Sequence, residues 1–318
     1  MVTPRARLTG SARLAGAFLF AMMLAALAGC ATGPRLAAPG EMGVSEQVHL
    51  EDVPFHPQRE YQCGPAALAM ALNASGVDVD ADALVPQVFL PERQGSVQPE
   101  MLAAARRHDR VSFVLDGEFE ALLRELDAGN PVVILQNLSV RLWPMWHYAV
   151  AIGYDLSAKR LYLHSGEEAH RSVSFRRFDA TWARSERWAM VTLPPGELPV
   201  AVDPDSAMDA ILAFQQATGA DAALPAWRAM TQRWPDFAMG WFALGNAEHA
   251  AGNPREATSA FRRATDEEPE LAVAWLNLGL VLEELEEDDK AREALQEAAS
   301  LPSRWRDKAQ EALTRLGD

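Results

Sequence analysis

The chain has 318 residues, with 44 acidic side chains against 29 basic ones, a formal charge of -15. So acidic a surface disfavours nucleic acid and argues against charge-driven adhesion to anionic lipid. Two cysteines cannot build a disulfide framework. With no His-Glu-x-x-His motif and no Gly-Lys-Ser/Thr phosphate loop, no metal or cofactor is expected.

At the amino terminus Arg5, Arg7 and Arg13 precede an apolar run from Leu14 to Leu27, broken by Gly16. A basic start, a short apolar core and small residues make a secretory signal, too short for a good membrane span. It ends in Leu27-Ala28-Gly29-Cys30, which resembles the lipobox of bacterial lipoproteins. The resemblance implies removal of residues 1–29, lipidation of Cys30, and a periplasm-facing protein tethered to the membrane of the cell envelope. Ala31 in place of Asp points to the outer membrane. An ordinary small-residue cleavage site is the alternative. Loss of the three leader arginines takes the charge from -15 to -18. Cys63 is then the one thiol left, without a disulfide partner in an oxidising compartment.

Residues 30–47 are small, polar and Pro/Gly-containing, and read as a tether. Val48 to Phe55 reads as a short strand, and 56–60 as a loop that brings Gln58 towards Cys63. Residues 61–76, YQCGPAALAMALNASG, read as a cysteine at the mouth of a helix. Pro65 suits a first helical turn, the Ala/Leu/Met run has high helix propensity, and Asn73, Ser75 and Gly76 supply a stop. Unpaired N–H groups and the helix dipole at such a mouth favour a thiolate, so a lowered Cys63 pKa is expected. The structural alternative is a small buried cysteine. Helices are expected over 79–89, 97–108 and 119–126, and strands over 111–115 and 131–135. His147 opens a strand running to Tyr154, a turn over 155–159 follows, and 160–164 runs back as the second arm of a hairpin. Further strands are read at 173–175 and 188–193, and Pro194 to Pro199 closes the domain.

Thiolate attack on an amide carbonyl needs a base and preorganised donors for the oxyanion. His147 is the candidate base, and Gln58, in preference to the adjacent Gln62, the candidate donor. His49, His108, His170 and His249 read as surface or edge residues. HPQREYQCGPAALAMALN together with WHYAVAIGYD resembles the papain-like, bacteriocin-processing cysteine peptidases of family C thirty-nine, in their stand-alone lipoprotein branch. The resemblance covers residues 48–195. It implies Cys63 as nucleophile, His147 as base and Gln58 as oxyanion donor in a cysteine-type peptidase acting on a peptide or protein substrate. Gln58 stands five residues before the cysteine, where papain-like enzymes place it six before. The family's third residue, Asp or Asn, is replaced by His164 or Ser165. His164 is the candidate, since a neutral ring nitrogen can accept a hydrogen bond.

From about residue 203 the sequence repeats every 34 residues: Trp241 and Trp275, Leu244-Gly245 and Leu278-Gly279, Ala257 and Ala291, Pro235 and Pro269. Period and markers resemble the tetratricopeptide repeat. A degenerate first unit would include Ala223 and Trp227, and Arg304 to Leu316 a capping helix. The whole reads as an α+β, papain-like domain over 48–199 followed by an all-α repeat solenoid over 203–318. The solenoid would dock a partner protein. A non-catalytic scaffold that retains the peptidase fold for binding is the alternative function, and amide bonds of cell-wall peptides remain an open substrate class.

Overall fold

The computed structural model describes residues 33–34, 36–58 and 62–317. The leader and Cys30, on which the lipidation reading falls, lie outside the described residues. In chain order come α1 (Pro39–Met42), β1 (Gln47–His49), α2 (Cys63–Ala74), α3 (Ala81–Val88), β2 (Phe89–Leu90) and β3 (Gly95–Ser96). Then follow α4 (Gln98–Arg107), β4 (Val111–Val114), α5 (Phe119–Asp127), β5 (Val132–Asn137), β6 (Trp146–Asp155), β7 (Arg160–Ser165), β8 (Glu168–Ser174), α6 (Phe175–Trp182) and β9 (Ala189–Leu193). The remainder is helical: α7 (Pro204–Thr218), α8 (Ala220–Arg233), α9 (Ala238–Ala250), α10 (Pro254–Glu267), α11 (Ala272–Glu284), α12 (Asp288–Ser300) and α13 (Arg306–Arg315).

The expected hairpin is present, with Asp155 opposite Arg160 and Val150 opposite His164. It sits inside an antiparallel sheet of order β4-β9-β5-β6-β7-β8, with β1 paired to the far end of β6. Side chains alternate across the sheet, as strand geometry requires. Val133, Leu135, Val150 and Ile152 face the helical lobe, where they bury with Leu68, Met70 and Leu72 of α2 and with Met101 of α4. Val132, Ile134, Ala149 and Ala151 face the other way, into a core with α5 and α6.

That second core does not stop at the proposed domain end. Ile211, Phe214, Trp227 and Met230 of α7 and α8 bury in the same cluster as Phe113, Leu122 and Trp182. The connection is polar, with Glu125 buried at its centre. Glu125 accepts the Ala201 N–H at 2.7 Å and the Asn130 amide at 2.8 Å. Arg233 donates to the carbonyls of Pro199 and Val200. The first repeat helices therefore pack against the sheet, in a core that continues across residues 194–199.

Three elements were not expected, the first being α1, which lies within the residues read as a tether and buries Met42. The 173–175 reading caught the end of β8 but missed α6, which Ser174 caps by accepting the Arg177 N–H at 3.4 Å. The β2–β3 hairpin, paired Phe89 with Ser96, also went unread.

In the repeats, identical residues make identical contacts 34 positions apart. The Trp241 indole donates to the Pro235 carbonyl at 2.8 Å, and Trp275 to Pro269 at 2.9 Å. A Cβ at Gly245 would lie 2.6 Å from the Phe261 ring, and one at Gly279 2.5 Å from Leu295 Cγ. Both glycines let paired helices approach to ring or methyl contact.

Candidate active site

Cys63 is the first residue of α2, and Pro65 occupies the turn where a missing N–H costs nothing. Gly64 is fixed sterically, because any Cβ there would collide with the Ser96 side chain of β3. The unread β2–β3 hairpin is thus seated directly beside the cysteine. His147 lies near the head of β6, opposite Gln136. Cys63, His147, Gln58 and Tyr148 open onto one cleft of about 1360 Å³.

Gln58 is buried, not a solvent-exposed loop residue. Its side-chain N–H donates to the Tyr148 carbonyl at 3.1 Å and its Oε1 accepts the Gly166 N–H at 2.9 Å. Its backbone N–H also donates to the Gly166 carbonyl, at 3.0 Å. Among the described residues its second side-chain amide hydrogen has no partner.

His164 does not serve His147. Its Nε2 lies 3.0 Å from the Val53 carbonyl, its Nδ1 accepts the His170 N–H at 3.3 Å, and its ring packs on Phe55 and His170. Consecutive strand residues point to opposite faces, so the neighbour Ser165 shares the face of His147. The Ser165 hydroxyl is 2.9 Å from His147 Nε2. His164 is instead the buried inner member of a stack with His170 and His49, whose ring nitrogens are 2.7 Å apart. His49 and His170 are therefore a linked pair and not independent surface residues.

The expected lowering of the thiol pKa is reversed. Burial pushes the Cys63 thiol above its ordinary value, and the backbone N–H groups of Tyr148, Gly64 and Cys63 itself oppose that only in part. Burial, with the Arg171 charge nearby, holds His147 down to about 4. Near neutral pH the two groups rest as thiol and neutral imidazole, and among the described residues no hydrogen bond joins them. The helix mouth is as read, but desolvation outweighs its dipole. Burial also raises the Tyr148 phenol, whose hydroxyl, like that of Ser96, is buried with no partner among the described residues.

Residues 50–190 match the model of the Peptidase_C39 like family, and residues 208–257 and 250–304 match a tetratricopeptide repeat model. No curated protein sequence matches the chain. Among solved structures, a Bacillus anthracis protein described as a C39-like peptidase is 20% identical, with a TM-score of 0.39. The match covers 47% of this chain and 98% of that one. The yeast Sti1 TPR2B domain, in its pHsp70 complex, is 16% identical with a TM-score of 0.34, over 36% of this chain and 95% of that one. The Yersinia enterocolitica translocator chaperone SycD is 13% identical with a TM-score of 0.34, over 36% and 86%. At these scores none of the three informs the site. Stacked repeats of this class build extended surfaces for protein partners. By family match and fold, the chain joins a Peptidase_C39-like domain to a tetratricopeptide-repeat domain.

Proposed function

We propose that the chain is a cysteine peptidase of the bacterial cell envelope, anchored by lipid on Cys30 and facing the periplasm from the outer membrane. One observation carries the catalytic part: a helix-mouth cysteine, a strand-head histidine and a buried glutamine open onto the same cleft. With His147 Nε2 engaged by Ser165, Nδ1 is the nitrogen left to take the thiol proton. Sulfur bonds to the substrate carbonyl carbon, and the proton moves to His147 as the tetrahedral oxyanion forms. The Cys63 backbone N–H, which has no partner within its helix, and the second Gln58 amide hydrogen are the candidate oxyanion donors. Collapse breaks the C–N bond, His147 returns the proton to the departing amine, and water then hydrolyses the thioester. The repeats recruit the substrate protein or a partner that delivers it.

A scaffold role is the second reading, favoured by Ser165 where the family's carboxylate or amide stands and by the neutral resting pair. Incubation of the full chain with a pool of fluorescence-quenched peptides of random sequence separates the two. Cleavage by wild type that vanishes in Cys63→Ala supports the peptidase. No cleavage anywhere in the pool, with Cys63 reduced and intact, would leave the scaffold.

A further inference from the structure

Between β5 and β6 the chain leaves large apolar side chains in water. Leu142 is 82% exposed, Trp143 76%, Met145 61% and Trp146 53%. Apolar groups grouped in this way on a soluble surface mark an interaction site. Their base is rigid and polar. The buried Asn137 accepts the N–H groups of Ser139 and Met145, both at 3.0 Å. Arg184 donates to the carbonyls of Asn137 at 3.3 Å and Ser139 at 2.8 Å. Leu138 donates to the Met145 carbonyl at 2.9 Å, and Trp143 to Val140 at 3.2 Å. So many bonds under an apolar tip hold it in one shape, ready for an occupant.

The position of the tip identifies that occupant. Trp143, Met145 and Trp146 line the cleft that holds Cys63 and His147. The β2–β3 side of the same cleft is mainly polar, with Arg93, Gln94 and Gln98 beside Val97. A chain lying in this cleft has backbone and polar groups served on one side and an apolar wall on the other. Leu142 lies outside the cleft lining.

We infer that residues 143–146 are the specificity wall of the cleft, and that they select extended peptide segments carrying bulky apolar side chains beside the bond presented to Cys63. The inference rests on the reading of the cleft as a peptide site and names the substrate class that site takes. Tryptophans at 143 and 146 supply broad, stiff apolar contact at low cost in side-chain entropy.

The test uses the full chain with Cys63→Ala, so that binding is read without turnover. Two labelled peptides of equal length and charge are compared by fluorescence anisotropy, one with Leu and Phe and the other with Ser at the same positions. The apolar peptide should bind at least about tenfold more tightly, the value of one well-buried side chain. Trp143→Ser and Trp146→Ser, both at exposed positions that leave the core untouched, should each remove most of that preference. Leu142→Ser should leave it intact. Equal binding of the two peptides overturns the inference. So does a loss in Leu142→Ser as large as in the tryptophan variants, which would assign the patch to a membrane or another protein surface. Cleavage of the random pool with no apolar preference defeats the inference alone. Apolar preference in Cys63→Ala with no cleavage by wild type defeats the proposed peptidase alone.

Discussion

The two halves of the molecule use sequence in opposite ways. The repeat half builds each contact between neighbours and then copies it, so Trp241 to Pro235 reappears as Trp275 to Pro269. The cleft half builds one site from segments that never repeat: a loop at Gln58, a helix at Cys63, a hairpin at Ser96, a strand at His147 and another at Ser165. A copied contact can be weakened in one unit while its twin remains. An assembled site has no spare parts. Single substitutions should therefore cost function in the cleft half and stability in the repeat half.

The largest expected effect is at His147. His147→Ala should lower turnover of any cleaved peptide by about 10²–10⁴, the range for a positioned acid-base group. Binding of a partner to the repeats should be unchanged, since His147 lines the cleft and takes no part in the core shared with the repeats. A parallel loss of repeat binding would break the comparison.

Acid stability comes next. His147 is held at about 4 in the folded chain against 6.5 for an unperturbed histidine. The unfolded chain takes up that proton first, so stability is full above about pH 6.5 and falls as pH drops towards 4. The loss is on the order of 3 kcal/mol if the whole shift is realised. His49 and His164 are lowered as well and add in the same direction. Denaturant unfolding at pH 7.5 and pH 4.5 measures the slope, and His147→Gln should make it shallower. A slope unchanged by His147→Gln would show that its pKa is not lowered.

In the repeats, Gly245→Ala and Gly279→Ala each press a methyl onto the facing helix, on Phe261 and Leu295 respectively. Overpacking of this kind costs about 1–3 kcal/mol, against which helix propensity returns less than about 1 kcal/mol. Thermal unfolding should show a lowered midpoint with cleavage at 25 °C retained. Equal effects at the two glycines would confirm that the units are energetic copies.

The smallest effect is expected at Ser165. Its hydroxyl fixes the His147 ring but carries no charge, so Ser165→Ala should cost less than about tenfold, the scale of one neutral hydrogen bond. A loss as large as that of His147→Ala would make Ser165 an indispensable third member of the site.

What could be read from the sequence follows the same division. The repeats were legible because nearest-neighbour packing writes its period directly into residue identity. The α2 helix was legible because Pro65 and the Ala/Leu run are local signals, and the 155–160 hairpin because strand, turn and strand are contiguous. The choice of Ser165 over His164 was not legible, since it depends on a register that places Val150 opposite His164 and on which face each side chain then takes. The α6 helix carries a local signal in the sequence: Ser174 as a cap and Phe175, Phe178 and Trp182 at helical spacing. The direction of the Cys63 shift is not legible in the sequence, for a physical reason. A helix dipole is local, whereas the burial that overcomes it is a product of tertiary packing around the cysteine. The Trp143–Trp146 wall stands directly before His147 in the sequence, but its exposure and its place on the cleft are tertiary facts.

The central claim is that Cys63 and His147 work as one pair that rests neutral and is engaged only when a peptide is attacked. Two electrophiles test it on the full chain. With iodoacetamide, which needs only a thiolate, the rate at Cys63 should climb with pH to beyond the ordinary thiol value of about 8.5, with no acid plateau, and should change little in His147→Ala. With a peptidyl vinyl sulfone, whose addition must be completed by a delivered proton, His147→Ala should slow modification at pH 7 by about a hundredfold. If His147→Ala leaves both reactions unchanged, the two residues are neighbours in a cleft and not a catalytic pair.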